Sequence, residues 1–83
     1  MSENIIKPTF NIIVGKKIKK HRKEMKLTAE ELGRYIGVSQ QQISRYESGV
    51  NHINIDFLSQ LSELFKVPIQ VFFNRRLNIF FNY

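Results

Sequence analysis

Two helix-start signals lie only eleven residues apart in the middle of the chain. Thr28 stands three positions before Glu31, and this pair matches a capping box, in which the hydroxyl accepts a backbone N–H and the carboxylate returns a bond. Ser39 stands three positions before Gln42 and matches the same pattern. Gly37 lies between the two signals and suits the left-handed residue that ends a helix. The spacing therefore predicts two short helices joined by a tight turn, a helix-turn-helix.

Apolar residues at helical spacing predict three more helices, so we expect an all-α fold of five helices. The first would begin at a cap on Thr9 or Asn11 and end near Met25. The fourth would follow a cap at Asn54, and the fifth would be a short helix opened by Pro68. Helices 2 and 3 then form the helix-turn-helix.

The two ends of the chain differ from the helical part. Residues 1–8 are expected to form an N-terminal arm and residues 9–73 one helical domain, because 83 residues make a single small domain. In the tail, residues 74–83, the side chains alternate with the period of a β-strand. This strand would pair with the same strand of a second subunit, as a dimerisation strand; the alternative is a disordered tail.

The net charge of +6 is concentrated in residues 16–26, which hold seven of the thirteen Lys and Arg residues against one acid, Glu24. A concentrated basic stripe raises the local concentration of polyanions. Contacts with phosphates also release counterions from DNA, which favours binding. The charge alone does not decide between such a surface and a solvated helix face.

Composition excludes several other kinds of site. The sequence has no cysteine, which excludes disulfides and thiolate metal sites and fits a cytoplasmic protein. His21 and His52 are too far apart for a short His-x-x-x-His metal pair. No apolar run approaches the roughly 20 residues of a membrane span, and no signal peptide is apparent. No catalytic motif is apparent either, so we expect a protein that is not an enzyme and has no cofactor or small-molecule ligand.

The third helix, expected over residues 40–47, carries a polar face opposite its apolar one. At 100° per residue, Ile43 and Tyr46 point toward the core. The side chains on the other face are Gln41, Ser44, Arg45 and Ser48, with Gln40 at its leading edge. Such a helix fits the DNA major groove, where Gln can bind adenine and Arg can bind guanine through two hydrogen bonds. Polar residues face solvent on any surface helix, but the capping boxes and the basic helix nearby favour DNA binding.

In this order the motifs resemble the Cro and lambda-repressor-like helix-turn-helix regulators, the XRE family. The resemblance covers about residues 14–73. Its segments are Val14-Gly15-Lys16-Lys17-Ile18 with Arg22, Leu27-Thr28, Glu31-Leu32-Gly33, Gly37-Val38-Ser39 and Glu47-Ser48-Gly49. The resemblance implies a five-helix lambda-repressor-like DNA-binding domain in which the third helix reads the major groove.

The resemblance also implies a role for each matching residue. The base-reading positions are Gln40, Gln41, Ser44 and Arg45. The phosphate-contacting positions are Arg22, Gln42, Asn51, His52 and Asn54, to which the basic segment adds Lys16 and Lys17. Arg22 and Glu47 match an ion pair between helices 1 and 3 that would fix the recognition helix.

Three positions depart from the family pattern. Ala29 stands where the family commonly has a phosphate-contacting Gln, so that contact is lost or moves to the Thr28 hydroxyl or to the start of helix 2. Gly33 replaces the usual Ala, which keeps close packing possible but costs about 1 kcal/mol of helix propensity. His21 replaces an apolar residue and is expected at the edge of the core.

Two functions fit these features. The first is a sequence-specific transcription regulator that binds double-stranded DNA as a homodimer on a near-palindromic operator, with helix 5 and the tail as candidate dimer surfaces. Residues 39–47 also resemble the recognition helix of small enterobacterial regulators encoded with fimbrial operons, which coordinate adhesion with motility. The second is an antitoxin that autoregulates its operon with the same domain and binds a toxin protein through the aromatic tail. Membrane-surface binding by helix 1 leaves the helix 3 pattern unexplained, so we expect no membrane partner.

Overall fold

Five α-helices form the part of the chain that the computed structural model describes, residues 10–74. Their bounds are α1 Phe10–Glu24, α2 Ala29–Ile36, α3 Gln40–Ser48, α4 Ile55–Phe65 and α5 Gln70–Phe73. No strand occurs among these residues, and the predicted all-α fold of five helices is confirmed. The predicted N-terminal arm lies outside the described residues, as does the predicted C-terminal strand apart from Asn74.

The starts of α2 and α3 follow the two capping signals. The Thr28 hydroxyl accepts from the backbone N–H of Glu31 at 3.0 Å, and the Glu31 carboxylate accepts from the N–H of Thr28 at 2.8 Å. The Ser39 hydroxyl accepts from the N–H of Gln42 at 3.1 Å, but within residues 10–74 the Gln42 side chain returns no bond. The prediction of a second complete box was therefore wrong. A neutral amide gains less than a carboxylate at the positive end of a helix, which accounts for the missing half.

The core is formed around α1, which contacts α3, α4 and α5. The buried apolar side chains are Val14, Ile18, Leu32, Ile43, Tyr46, Phe57, Leu58, Leu61, Phe65 and Phe72. In α3 the side chains of Ile43 and Tyr46 are buried, and the Tyr46 ring lies 4.2 Å from that of Phe57 between centroids. A helix of nine residues is marginal on its own. Burial of each such side chain contributes about 1.5–3 kcal/mol, so tertiary packing holds α3 in place.

Gly15 lies where α1 meets the carboxyl end of α3. A Cβ atom at this position would lie 2.4 Å from the carbonyl oxygen of Tyr46 and 2.6 Å from that of Glu47. Those oxygens belong to the backbone, so they cannot move aside unless α3 shifts as a whole. The missing side chain at residue 15 therefore allows α3 to lie directly on α1.

Candidate nucleic-acid interface

The outer face of α3 is accessible along its length. Ile43 is fully buried and Tyr46 is 9% exposed, so the opposite side of the helix faces solvent. The exposed side chains on it are Gln40, Gln41, Ser44 and Arg45. The structure thus brings the four predicted base-reading residues together on one helix, which its packing against α1 and α2 orients. Their contact with bases stays a prediction.

Arg22 and Glu47 form a two-point ion pair between α1 and α3. Arg22 Nε donates to Glu47 Oε2 at 2.6 Å, and Nη2 donates to Oε1 at 3.0 Å. Nη1 donates to the carbonyl of Leu27 at 2.8 Å. The two side chains are only 11% and 8% exposed, and the hydrogen bond to Glu47 raises the pKa of Arg22. Pairs with this fork geometry are strong and directional, so the pair fixes α3 relative to α1.

The same bonds limit the atoms of Arg22 that could make the predicted phosphate contact. All three nitrogen atoms of its guanidinium donate to partners within the protein. These bonds use three of its five N–H donors, so a phosphate could be bound only through the remaining Nη hydrogens, in a largely buried position. We assign Arg22 to positioning α3, and its contact with a phosphate stays a prediction.

The loop between α3 and α4, residues 49–54, is linked to both α3 and α1. Asn51 Oδ1 accepts from Arg45 Nε at 3.3 Å. Asn11 Nδ2 lies 3.2 Å from His52 Nδ1, so the Asn11 amide orients this ring. Asn54 Oδ1 caps α4 by accepting from a backbone N–H, which leaves its amide hydrogens available. Each of the three loop side chains thus uses one polar atom within the protein and has another that can meet a phosphate.

Asn11 is a positioning residue that the sequence did not reveal, because it was considered only as a cap of α1. It lies 41 positions from His52, and no local pattern connects the two. The bond leaves Nε2 of His52 as the ring nitrogen that points away from Asn11. The contact between Asn11 and His52 can be identified only from the packing of α1 against the loop of residues 49–54.

Three lysines of α1 form an exposed stripe. Lys16, Lys19 and Lys23 are all exposed and follow one another at spacings of three and four residues, which places them on one side of the helix. Lys16 was predicted as a phosphate contact, whereas Lys19 and Lys23 were missed. Their helical spacing with Lys16 is a signal that the sequence does contain.

Lys17 is the predicted phosphate contact that the structure supports least. Its side chain is buried at 7% exposure, and its Nζ donates to the carbonyl of Val71 in α5 at 3.1 Å. Burial, and secondarily the charge of Lys20, lower the pKa of Lys17 from its usual value. One position along a helix rotates a side chain by about 100°, so the neighbour of an exposed lysine can face the core.

The start of α2 offers one further group. Thr28 is exposed, and its hydroxyl accepts the capping bond from Glu31, so the hydroxyl proton remains available for donation. Gln42 is partly buried at the start of α3. Both positions are therefore compatible with phosphate contacts, although Gln42 is the less accessible of the two.

Neither a metal cluster nor a membrane-spanning helix is found among residues 10–74. No group of three or more His, Asp or Glu side chains in this range is placed to hold a metal ion. No helix among these residues is long and apolar enough to cross a membrane.

Comparisons with known proteins agree with this geometry. A family model described as Helix-turn-helix matches residues 18–72. An uncharacterized HTH-type transcriptional regulator of Sinorhizobium medicae is 36% identical over 74 residues, which are 88% of this chain and 53% of that protein. The antitoxin PezA of Streptococcus pneumoniae is 34% identical over 55 residues, 66% of this chain and 35% of the antitoxin. The chain therefore spans about half, or less, of the length of these curated relatives.

Two solved structures share the fold. The P22 c2 repressor, crystallised with a synthetic operator, has a TM-score of 0.68 at 27% identity, over 76% of this chain and 96% of the repressor. The clp gene regulator ClgR from C. glutamicum has a TM-score of 0.75 at 18% identity, over 81% of this chain and 87% of the regulator. The family match includes both helices of the turn and the helices that support them. The chain therefore belongs to the helix-turn-helix family.

Proposed function

We propose that this chain is a sequence-specific DNA-binding regulator that inserts α3 into the major groove of a near-palindromic operator. The observation that carries the proposal is the outer face of α3, where Gln40, Gln41, Ser44 and Arg45 are exposed. The Arg22–Glu47 ion pair fixes this helix to α1. The P22 c2 repressor, which was solved on an operator, has a similar fold and supports the same mode of binding. Each good two-bond pair of Gln with adenine or Arg with guanine gives about 1–3 kcal/mol of base discrimination.

Phosphate contacts would come from three sides of α3. Lys16, with Lys19 and Lys23, lies on the exposed stripe of α1, Thr28 lies at the start of α2, and the loop of residues 49–54 follows α3. The contributing groups are Lys16, Lys19, Lys23, Thr28, Gln42, Asn51, His52 and Asn54. Such contacts fix the position of the protein on the duplex and carry little sequence information.

We further propose that the regulator acts as a homodimer, with α5 at the dimer surface. Phe10 and Phe73 stack with ring centroids 5.8 Å apart and are 39% and 41% exposed, so an apolar patch lies beside α5. Two copies of α3 would then reach half-sites about one turn of the duplex apart. The candidate dimerisation strand in the tail would adjoin this patch in sequence.

The genes under control are proposed from the resemblance of α3 alone. Residues 39–47 resemble the recognition helix of regulators encoded with fimbrial operons, so fimbrial or motility genes are the first targets to test. A protein that reads such operators acts in the cytoplasm, where bacterial chromosomal DNA lies.

A second candidate function is that of an antitoxin that represses its own operon. The similarity to the antitoxin PezA is the observation that favours it. The partner would then be a toxin protein, bound through residues 74–83, which carry several aromatic side chains. A toxin gene beside the gene for this chain would support the antitoxin, and a chain that can be deleted without toxicity would count against it.

Selection of random duplex DNA by the purified protein at physiological salt tests the main proposal. Recovery of a two-fold symmetric motif with half-sites about 10 bp apart, together with a dimeric mass in solution, is the expected result. Gln41→Ala should then lower the preference at one base position by about tenfold and leave the others unchanged. Salt-sensitive binding with no enriched motif would contradict sequence-specific recognition.

A further inference from the structure

The side chain of Arg45 is held in place by the loop that follows its own helix. The carbonyl of Arg45 accepts from the Ser48 hydroxyl and from the backbone N–H of Val50, both at 3.1 Å. One residue after Val50, Asn51 Oδ1 accepts from Arg45 Nε at 3.3 Å. Asn51 is partly buried, whereas Arg45 is exposed. The partly buried Asn51 thus orients the longer and more flexible side chain of Arg45.

The bond from Nε determines which edge of the guanidinium remains available. Arginine has five N–H donors in a planar fork, and a two-bond contact with guanine uses either the Nε edge or the terminal edge formed by the two Nη atoms. Asn51 occupies Nε, so the terminal edge of Arg45 is the one that remains free to meet a base.

We propose that Asn51 is a positioning residue for base readout, which presents the terminal edge of Arg45 to one base pair of the operator. The carboxamide of Asn51 has two further N–H donors beyond the oxygen that Arg45 uses. The same side chain can therefore donate to a backbone phosphate and couple this contact to the base contact. This inference rests on the proposed function and assigns to Asn51 part of its specificity.

The test is the random-duplex selection repeated with Arg45→Ala, Asn51→Ala and the double variant. Arg45→Ala should lower the preference at one base position by about tenfold. Asn51→Ala should lower the preference at that same position by a similar factor, although Asn51 does not touch the base. At that position the double variant should show the same base preference as Arg45→Ala, because both changes remove the same base contact.

Asn51→Asp separates the two contacts of Asn51. It keeps an oxygen that can accept from Arg45 and replaces the donors with a negative charge, so affinity for every duplex should fall while the base preference is retained. Ser48→Ala is the matched control, since it removes a bond to the Arg45 backbone and leaves the guanidinium bond intact. It should leave the preference unchanged. Urea unfolding of each variant shows whether the fold is retained.

Two results would overturn the inference, and they are distinguishable. If Asn51→Ala weakens binding but retains the full base preference, Asn51 is a phosphate contact only and the proposed function stands. If the unchanged protein enriches no motif, the proposed function fails and the inference fails with it.

Discussion

His21 lies between two aromatic rings and a set of charges from its own helix. Its ring is 5.5 Å from that of Phe65 and 6.0 Å from that of Phe72 between centroids. Nδ1 lies 3.5 Å from the carboxylate of Glu24. Burial is the main cause that lowers the pKa of His21, Glu24 opposes the shift, and Lys20 and Lys17 add to it. The neutral ring is therefore the form that the fold favours.

We expect the free energy of unfolding to decrease as the pH falls from about 7.5 to 5.5. Because the pKa of His21 is lower in the folded chain than its unfolded value of about 6.5, the unfolded chain binds the proton more readily. The contribution is thus present above the unfolded pKa and lost as the pH falls through the folded one. Urea unfolding at several pH values measures this slope.

Replacement of His21 identifies the source of the slope. His21→Phe keeps an aromatic ring at the site and should flatten it. Equal slopes for the unchanged protein and His21→Phe would show that another group is responsible.

The turn between α2 and α3 depends on the absence of a side chain at Gly33. A Cβ atom there would lie 2.4 Å from the carbonyl oxygen of Val38, which is backbone. The usual alanine of the family would therefore collide with the turn in this chain. The helix propensity lost at Gly33 is offset by the closer approach of α2 to the turn.

Gly33→Ala is expected to destabilise the fold by about 1–3 kcal/mol, as overpacking does, although alanine is the better helix former by about 1 kcal/mol. Ser59→Ala, at an exposed position inside α4, gains propensity without a clash and should be neutral or slightly stabilising. Thermal or urea unfolding of both variants measures these changes in stability. A more stable Gly33→Ala would mean that the turn can open at little cost.

The ion pair of Arg22 and Glu47, which joins α1 and α3, leads to a prediction about the stability of the fold. Glu47→Ala leaves Arg22 largely buried without its main partner and should cost about 3–5 kcal/mol. Replacing both residues by methionine should recover much of that loss, because no charge is then buried alone. DNA binding by a folded Glu47→Gln variant reports on the orientation of α3. Full binding by this variant would show that packing alone orients the helix.

The fold was predictable where its signals are local. Thr28 and Gly37 act within one helical turn of themselves, so they mark the ends of α2 in the sequence. The buried state of Lys17 depends on Val71, and the contact of Asn11 with His52 spans 41 positions. Such contacts follow from the packing of helices, which no local pattern specifies. The sequence therefore predicted the helices, the outer face of α3 and, through the family resemblance, the pair of Arg22 with Glu47, but not the contacts of Lys17 and Asn11.

The lysines of α1 are not equally available to a ligand, although the number of lysines alone does not show this. The stripe of Lys16, Lys19 and Lys23 faces solvent, whereas the Lys17 ammonium is bonded to α5. Lys20 lies 3.5 Å from Glu24, which partly neutralises it. Within α1, the exposed positive charge is therefore concentrated on the side of Lys16, Lys19 and Lys23.

Two adjacent lysines test this arrangement. Lys16→Met should weaken binding to every duplex and reduce the salt dependence by about one phosphate contact. Lys17→Met should leave the salt dependence unchanged, because its ammonium makes no phosphate contact. Affinity measured over a range of salt concentrations gives both slopes. Equal reductions for the two variants would mean that Lys17 leaves α5 when DNA binds.

The bond between Lys17 and Val71 also affects how the protein is made. A ribosome releases α1 first and α5 last, so Lys17 has no acceptor, and His21 lacks the Phe72 ring, until nearly all of the described domain has emerged. A nascent chain that stopped after α4 would lack the fully buried Phe72 and would leave the part of the core that this ring covers open to water. We expect such a product to be degraded rather than to fold. A premature stop in this gene should therefore behave as a simple loss, and not as a competitor that occupies the operator.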